Sequence, residues 1–281
     1  MAAPALAGVR VTDDRGQLVH LERPATRVIA LYGAFNEILA DLGREDILIA
    51  RTETDDQPPS IRSKPIVGTH LRPNLELIIS LKPDLVIQMG GRVEALATVK
   101  FLETHGIPTV MFRMNAFEDL FAAMERLGVL TGAETQAQAR VLAMQAELKR
   151  IHTQRPGRVP TVFFEVRHPN LLAAGQGSMI TEIIDAAGGR NAVTAPEKLV
   201  RLSEEEVLRL DPDIYLIQHG PMNPAPTPLA ARPHYATLGC VRNGRVITVD
   251  QRLFSRPGPR SLEAAHQLAE IVQKWDKEAR P

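Results

Sequence analysis

Short apolar runs alternate with amphipathic stretches along most of the chain. Val9–Glu22 alternates apolar and polar positions around Asp14-Arg15-Gly16, the pattern of an edge hairpin. Arg27–Leu31, Ile47–Ala50, Leu85–Gln88 and Thr109–Phe112 are continuous apolar runs of buried-strand length. Helical spacing fills the intervals at Asn36–Leu42, Leu75–Leu81, Val93–Thr104 and Phe117–Leu130, with Asn74 as a cap and Gly43 as a stop. The alternation then returns. Thr161–Val166, Ile214–Ile217 and Arg245–Val249 predict strands, while Met179–Ala187, the stretch from the Ser203 cap to Leu210, and Ser261–Lys277 predict helices. A Pro-rich loop, Gly220–Pro233, has little regular pattern, and Gly175-Gln-Gly177 predicts a turn. Strands alternating with helices imply parallel sheets covered on both faces.

Between the two halves lies one long helical segment, Glu134–Arg155, without Gly or Pro. Val141, Met144, Leu148 and Ile151 draw a single apolar stripe along it, Glu134 opens it, and Lys149, Arg150 and Arg155 close it as the helix dipole favours. Pro156-Gly157 stops it. At the rise of an α-helix this segment is roughly 30 Å long, the width of a small domain. The expected division is an N-terminal lobe over residues 9–132, a connecting helix over 133–156 and a C-terminal lobe over 157–281.

The halves repeat each other. Glu76–Gln88 and Glu205–Gln218 each give a short helix, then Leu-x-Pro-Asp, then a buried strand ending in Gln. Glu76 and Glu205 each stand seven residues before the proline, in the first turn of matched helices. A first-turn acid complements the helix dipole; a matched pair in two related lobes predicts a two-point docking surface. Two such lobes also make a cleft, a common ligand site.

Composition narrows the function classes. Thirty-three basic and thirty-three acidic side chains balance to zero formal charge, which argues against a bulk nucleic-acid binder. The lone cysteine, Cys240, excludes an internal disulfide and a CxxC site. No apolar run reaches the roughly 18 residues of a membrane span. Residues 1–8 lack the features of an intact signal peptide. Nucleophile-elbow, Walker, HExxH and GxGxxG signatures are missing, which lowers the rank of a two-lobed metalloenzyme.

Taken together, Arg27-Val-Ile-Ala-Leu with Asn36-Glu-Ile-Leu39, Val67-Gly68 with Asn74-Leu-Glu76, Leu81-Lys-Pro-Asp-Leu-Val, Leu202–Val207, Asp211-Pro-Asp213 and Arg256-Pro-Gly-Pro-Arg260 resemble the periplasmic substrate-binding proteins of ABC importers for iron–siderophore complexes, haem and vitamin B12. The resemblance runs from about Val9 to Trp275. It implies two α/β lobes with parallel, Rossmann-like sheets joined by one long helix, a ligand cleft between the lobes, and no enzymatic activity. It further implies docking on a membrane permease, with its ATPase, through Glu76 and Glu205, and a monomeric, exported, periplasmic protein. No permanent cofactor is expected. The ligand would be a metal chelate (ferric siderophore, haem or cobalamin), with molybdate or tungstate as the alternative, and sensing rather than transport as a further role.

Loops after strand carboxyl ends nominate the ligand contacts. These are Tyr32, Gly33, Arg51, Thr69, His70, Arg72, Gly90, Gly91, Arg92 and Arg113 in the first lobe, and Arg167, His168, His219, Arg252 and Arg256 in the second. The arginines suit an anionic ligand, and by the resemblance Arg256 matches a ligand-contacting position. His70 and His168, one per lobe, are candidate metal ligands. Thr69 stands where haem-binding relatives place an iron-ligating tyrosine. Aromatic residues are only 4%, few for a large flat ligand.

Overall fold

In the computed structural model, which describes residues 8–155 and 157–278, the alternating segment at the start forms β1 (Val9–Thr12) antiparallel to β2 (Leu18–Leu21). The N-terminal residues bearing on export, the helix-stopping Pro156 and the last three residues lie outside the described residues. The chain divides into two compact units. The first runs to Met114 and adds Glu118–Ala143; the second takes Asn115–Phe117 and the chain from Met144 onward.

The first unit continues with β3 (Val28–Ala30), α1 (Gly33–Asp41), β4 (Leu48–Ala50), α2 (Leu75–Ser80), β5 (Leu85–Met89), α3 (Val93–Thr104), β6 (Thr109–Phe112) and α4 (Phe117–Thr131). Its sheet is parallel throughout, in the order β4-β3-β5-β6. Val28, Ile29, Val86, Ile87 and Val110 are fully buried, as continuous apolar runs between two helical layers require. The edge at β6 is covered by the β1–β2 turn. Asp13 Oδ2 accepts the Met111 N–H at 3.1 Å, and Asp14 Oδ2 accepts the Arg113 N–H at 2.6 Å. Such cover removes a free pairing edge.

The long helix is α5 (Glu134–Thr153), two residues shorter than expected, and the boundary between the units falls within it. Val141, Met144 and Ile151 of its stripe are buried and Leu148 is half-buried. Within the first unit, Arg140 Nε meets Asp41 Oδ2 at 2.5 Å. Within the second, Glu147 pairs with Arg150 at 2.6 Å and with His266.

The second unit comprises β7 (Thr161–Arg167), β8 (Leu172–Ala174), α6 (Met179–Ala186), β9 (Arg190–Asn191), β10 (Leu199–Arg201), α7 (Glu204–Leu210), β11 (Ile214–His219), α8 (Gly239–Arg242), β12 (Val246–Asp250), α9 (Gln251–Phe254) and α10 (Ser261–Glu278). The sheet order is β10-β8-β7-β11-β12, with β9 on β7. The expected parallel strands β7, β11 and β12 are there, but β8 and β10 join antiparallel, so this sheet is mixed. Gly175 and Gly177 serve that addition. A Cβ on Gly175 would lie 2.2 Å from the Glu197 carbonyl oxygen, and one on Gly177 would lie 2.7 Å from that of Pro196. The glycines therefore permit a close backbone approach.

The repeated Leu-x-Pro-Asp has the same physical role in both units. Residue x is left-handed in each, Lys82 at φ 49° and Asp211 at φ 36°. Asp84 then accepts the Thr26 N–H and hydroxyl, both at 2.9 Å, and the Arg27 N–H at 2.8 Å. Asp213 accepts the Thr161 N–H at 2.8 Å and its hydroxyl at 2.9 Å. Each aspartate thus clamps the start of the neighbouring strand, β3 or β7. The helices before these motifs are capped alike. Asn74 accepts the Leu77 N–H at 3.0 Å, and Ser203 forms a reciprocal capping box with Glu206, each cap contributing about 1 kcal/mol.

One buried ion pair pins the Pro-rich loop. Arg232, 4% exposed, sets its two terminal nitrogens on the Glu165 carboxylate at 2.5 and 2.9 Å, and Glu165 also accepts the Tyr215 hydroxyl at 2.7 Å. The Arg232 guanidinium lies 5.6 Å from the ring centre of Tyr235. A charge in the middle of the apolar run Thr161–Val166 is stable here because its partner is bidentate and equally buried.

Candidate functional site

Each sheet reverses direction once. In the first unit, β4 lies on one side of β3 while β5 and β6 lie on the other, so the loops after β3 and β5 flank a topological switch point. Tyr32, half-buried, follows β3 and precedes α1. Its ring meets the His70 imidazole edge-on, with centroids 5.6 Å apart and planes at 71°. Gln88, at the end of β5 and fully buried, donates from Nε2 to the His70 carbonyl at 2.9 Å. Thr69 Oγ1 accepts the Arg72 N–H at 3.0 Å and so turns the same loop. Gly90 follows β5, and the Arg113 side chain passes over it, since a Cβ there would come within 3.0 Å of Arg113 Cγ. Arg72, Arg92 and Arg113 are exposed. Arg51 lies in the loop after β4. It is half-buried and gives Nη1 to the carbonyls of Thr52 and Asp55, both at 3.2 Å, fastening its own loop.

In the second unit, His219 ends β11 and is exposed. With Gly220, Pro221, Thr248, Val249, Asp250 and Arg252 it lines an open depression of about 400 Å³. Arg256 is half-buried in the segment after α9. Arg167 and His168 follow β7. The Nε2 of His168 faces Glu204 Oε1 at 3.5 Å, and its Nδ1 is buried without a hydrogen-bond partner among the described residues. Among the described residues no three of His, Cys, Asp and Glu gather as an ion site.

Glu76 and Glu205 are exposed, each two residues past its helix cap. The three glutamates that open α7 separate by role. Glu204 turns to His168, Glu206 closes the capping box, and Glu205 is left facing solvent. Its own backbone N–H and the Ser203 hydroxyl hold the Glu205 carboxyl below the ordinary range. Sequence reasoning missed Gln88, Gln218 and Glu204 as parts of these loops. The signal for the glutamines was present, because each closes the repeated segment.

Residues 28–253 match the family model of periplasmic binding proteins. The chain belongs to that family. This periplasmic binding protein is 28% identical over 271 residues to an uncharacterised ABC transporter substrate-binding lipoprotein of Bacillus subtilis, covering 94% of this chain and 85% of the relative. It is 28% identical over 248 residues to a vitamin B12-binding protein of Pectobacterium carotovorum, covering 86% of each. In fold it is similar to a periplasmic haem-binding protein of Vibrio cholerae, with TM-score 0.78 at 23% identity, over 88% of this chain and 98% of that one. Membership makes it a substrate-binding protein and not an enzyme.

Proposed function

We propose that this binding protein serves an ABC importer outside the cytoplasm and captures a metal tetrapyrrole, with a cobalt corrinoid first and haem second. The observation that carries the ligand class is the Tyr32–His70 pair, which sets two rings together at the first switch point. A flat, largely apolar ligand face needs such a wall, and its polar periphery needs hydrogen-bonding cations. Arg92 and Arg113 supply these in one unit, and Arg252 and Arg256 in the other. The names of the relatives support the same class. Haem is kept as the second reading because His70 places an imidazole in the candidate loop, where it would ligate an iron already held by porphyrin. His168 is engaged by Glu204 and supports a structural role better than ligation.

On this reading the protein acts as a monomer. Glu76 and Glu205 pair with permease arginines, a contact that steers association and sets register. Reconstitution with an ABC importer of this family from the same genome tests the reading. Cobalamin or haem uptake and stimulated ATP hydrolysis are expected only with the binding protein present; uptake independent of it would refute the assignment.

A further inference from the structure

The two glutamines that close the sequence repeat occupy matched places. Gln88 ends the buried part of β5 and Gln218 that of β11, and both are fully buried. Each spends its amide N–H on main chain close to a candidate histidine, Gln88 in the His70 loop and Gln218 in β7 just before His168. Gln88 donates to the carbonyl of His70 itself at 2.9 Å, and Gln218 to that of Val166, two residues before His168, at 3.1 Å. Their remaining polar atoms are also used. Gln88 Oε1 accepts the Met89 N–H at 2.8 Å. Gln218 Oε1 accepts the Ser255 hydroxyl, next to Arg256, and the Gln218 carbonyl accepts the Asn223 side-chain N–H at 2.9 Å. The Gln218 side chain therefore ties the end of β7, just ahead of His168, to the segment before Arg256, while its main-chain carbonyl holds Asn223.

A fully buried amide is costly unless all its polar atoms are paired. Glutamine in an otherwise apolar strand is thus a poor choice for a core and a good one for fixing loops at a strand end. The neighbouring apolar residues Val86, Ile87, Leu216 and Ile217 supply packing; neither glutamine is needed for that. We infer that Gln88 and Gln218 are positioning residues, one per unit, that hold the ligand loops in their binding geometry. The inference rests on the proposed function only for its ligand readout; the loop geometry itself is testable without ligand.

The test compares the wild type with Gln88→Met and Gln218→Met, which keep the chain length and remove the amide. Val86→Ala serves as a control that weakens the same strand, β5, without touching either amide bond. Amide hydrogen exchange is followed in peptides spanning 66–74, 165–171, 219–224 and 253–257, along with urea midpoints. Dissociation of cyanocobalamin and haemin is then measured for each protein that binds them. Gln88→Met should speed exchange roughly three- to tenfold in 66–74 alone, the worth of one hydrogen bond. Gln218→Met should do the same in 165–171 and 253–257, while 219–224, held by the Gln218 main-chain carbonyl that methionine keeps, stays near the wild-type rate. Both should speed ligand dissociation, while Val86→Ala lowers the urea midpoint and leaves loop exchange and dissociation near the wild-type values. Wild-type exchange in the Met variants would overturn the inference, as would a Val86→Ala protein that reproduces their loop and ligand effects. If the wild type binds neither probe, the proposed function fails, and the exchange pattern still decides the role of the glutamines.

Discussion

The ring of Tyr32 stands edge-on to the imidazole of His70, 5.6 Å between centroids, although 38 residues separate them in the chain. The contact joins the loop after β3 to the loop before α2. An edge-to-face pair of this kind is worth about 0.5–1.5 kcal/mol beyond burial. Tyr32→Ala and His70→Ala are each expected to weaken tetrapyrrole binding about tenfold. The double variant should lose less than the product of the two. Independent, multiplicative losses in a titration of all four proteins would show that the rings do not act together.

The Glu165–Arg232 pair makes a separate prediction about stability. Arg232→Ala leaves a buried carboxylate without its partner and should cost roughly 3–5 kcal/mol. Arg232→Met with Glu165→Gln should recover a large part of that. Urea unfolding followed by the single tryptophan, Trp275 of α10, reads the unit that contains the pair. The tyrosines beside it add a pH dependence. Burial, then the Glu165 charge, raise Tyr215 well above its ordinary value, and burial with the Glu204 charge pushes Tyr235 up to about 12. A raised folded-state pKa gives stability that is complete below the unfolded value and lost above it. Unfolding free energy should therefore hold to about pH 10 and fall as the pH approaches 12. Tyrosinate absorbance from both residues should appear together with loss of structure.

Glu147 acts in the opposite direction. The Arg150 hydrogen bond, with the charges of Arg150 and His266, holds its carboxyl at about 2, against an ordinary 4.5. A lowered folded-state pKa gives stability that is present above 4.5 and lost as pH falls through about 2. Glu147→Gln should flatten the acid limb of the stability curve in that window by lowering the neutral value, with the two proteins converging in acid. An acid titration of helicity, wild type against variant, measures it.

The matched aspartates predict a matched response. Asp84→Ala and Asp213→Ala each remove a charged acceptor from a strand start and should cost roughly 1.5–3 kcal/mol. Differential scanning calorimetry of the two variants is expected to show comparable losses. A large loss for one and none for the other would break the structural equivalence of the repeat.

Docking is tested apart from binding. With Glu76→Ala and Glu205→Ala combined, ligand affinity should equal that of the wild type while uptake through the importer is abolished. Uptake at the normal rate by the double variant would remove both residues from the docking surface.

Much of this was legible in the chain because period and punctuation agreed. Val93–Thr104 forms a helix with the expected ends, and the caps at Asn74 and Ser203 fall where the residue types place them. The strands β8, β9 and β10 are two or three residues long and lie between turns, too short for an alternating pattern to show. The antiparallel pairing that β8 and β10 bring to the second sheet was therefore invisible. The Arg232–Glu165 pair spans 67 positions, and no local spacing announces it. A lone glutamate inside an apolar strand was the only sign that a buried cation must come from elsewhere. The candidate site was legible as a set of loops. Which residues in them face outward was not: Arg51 and His168 turn to backbone and carboxylate partners that only the folded loops bring near.

The most direct measurement is an absorbance titration of the purified protein with cyanocobalamin and with haemin, beside His70→Ala. The account predicts a saturable spectral change at one ligand per chain for at least one of them, weakened by the substitution. No saturable change with either ligand would contradict it.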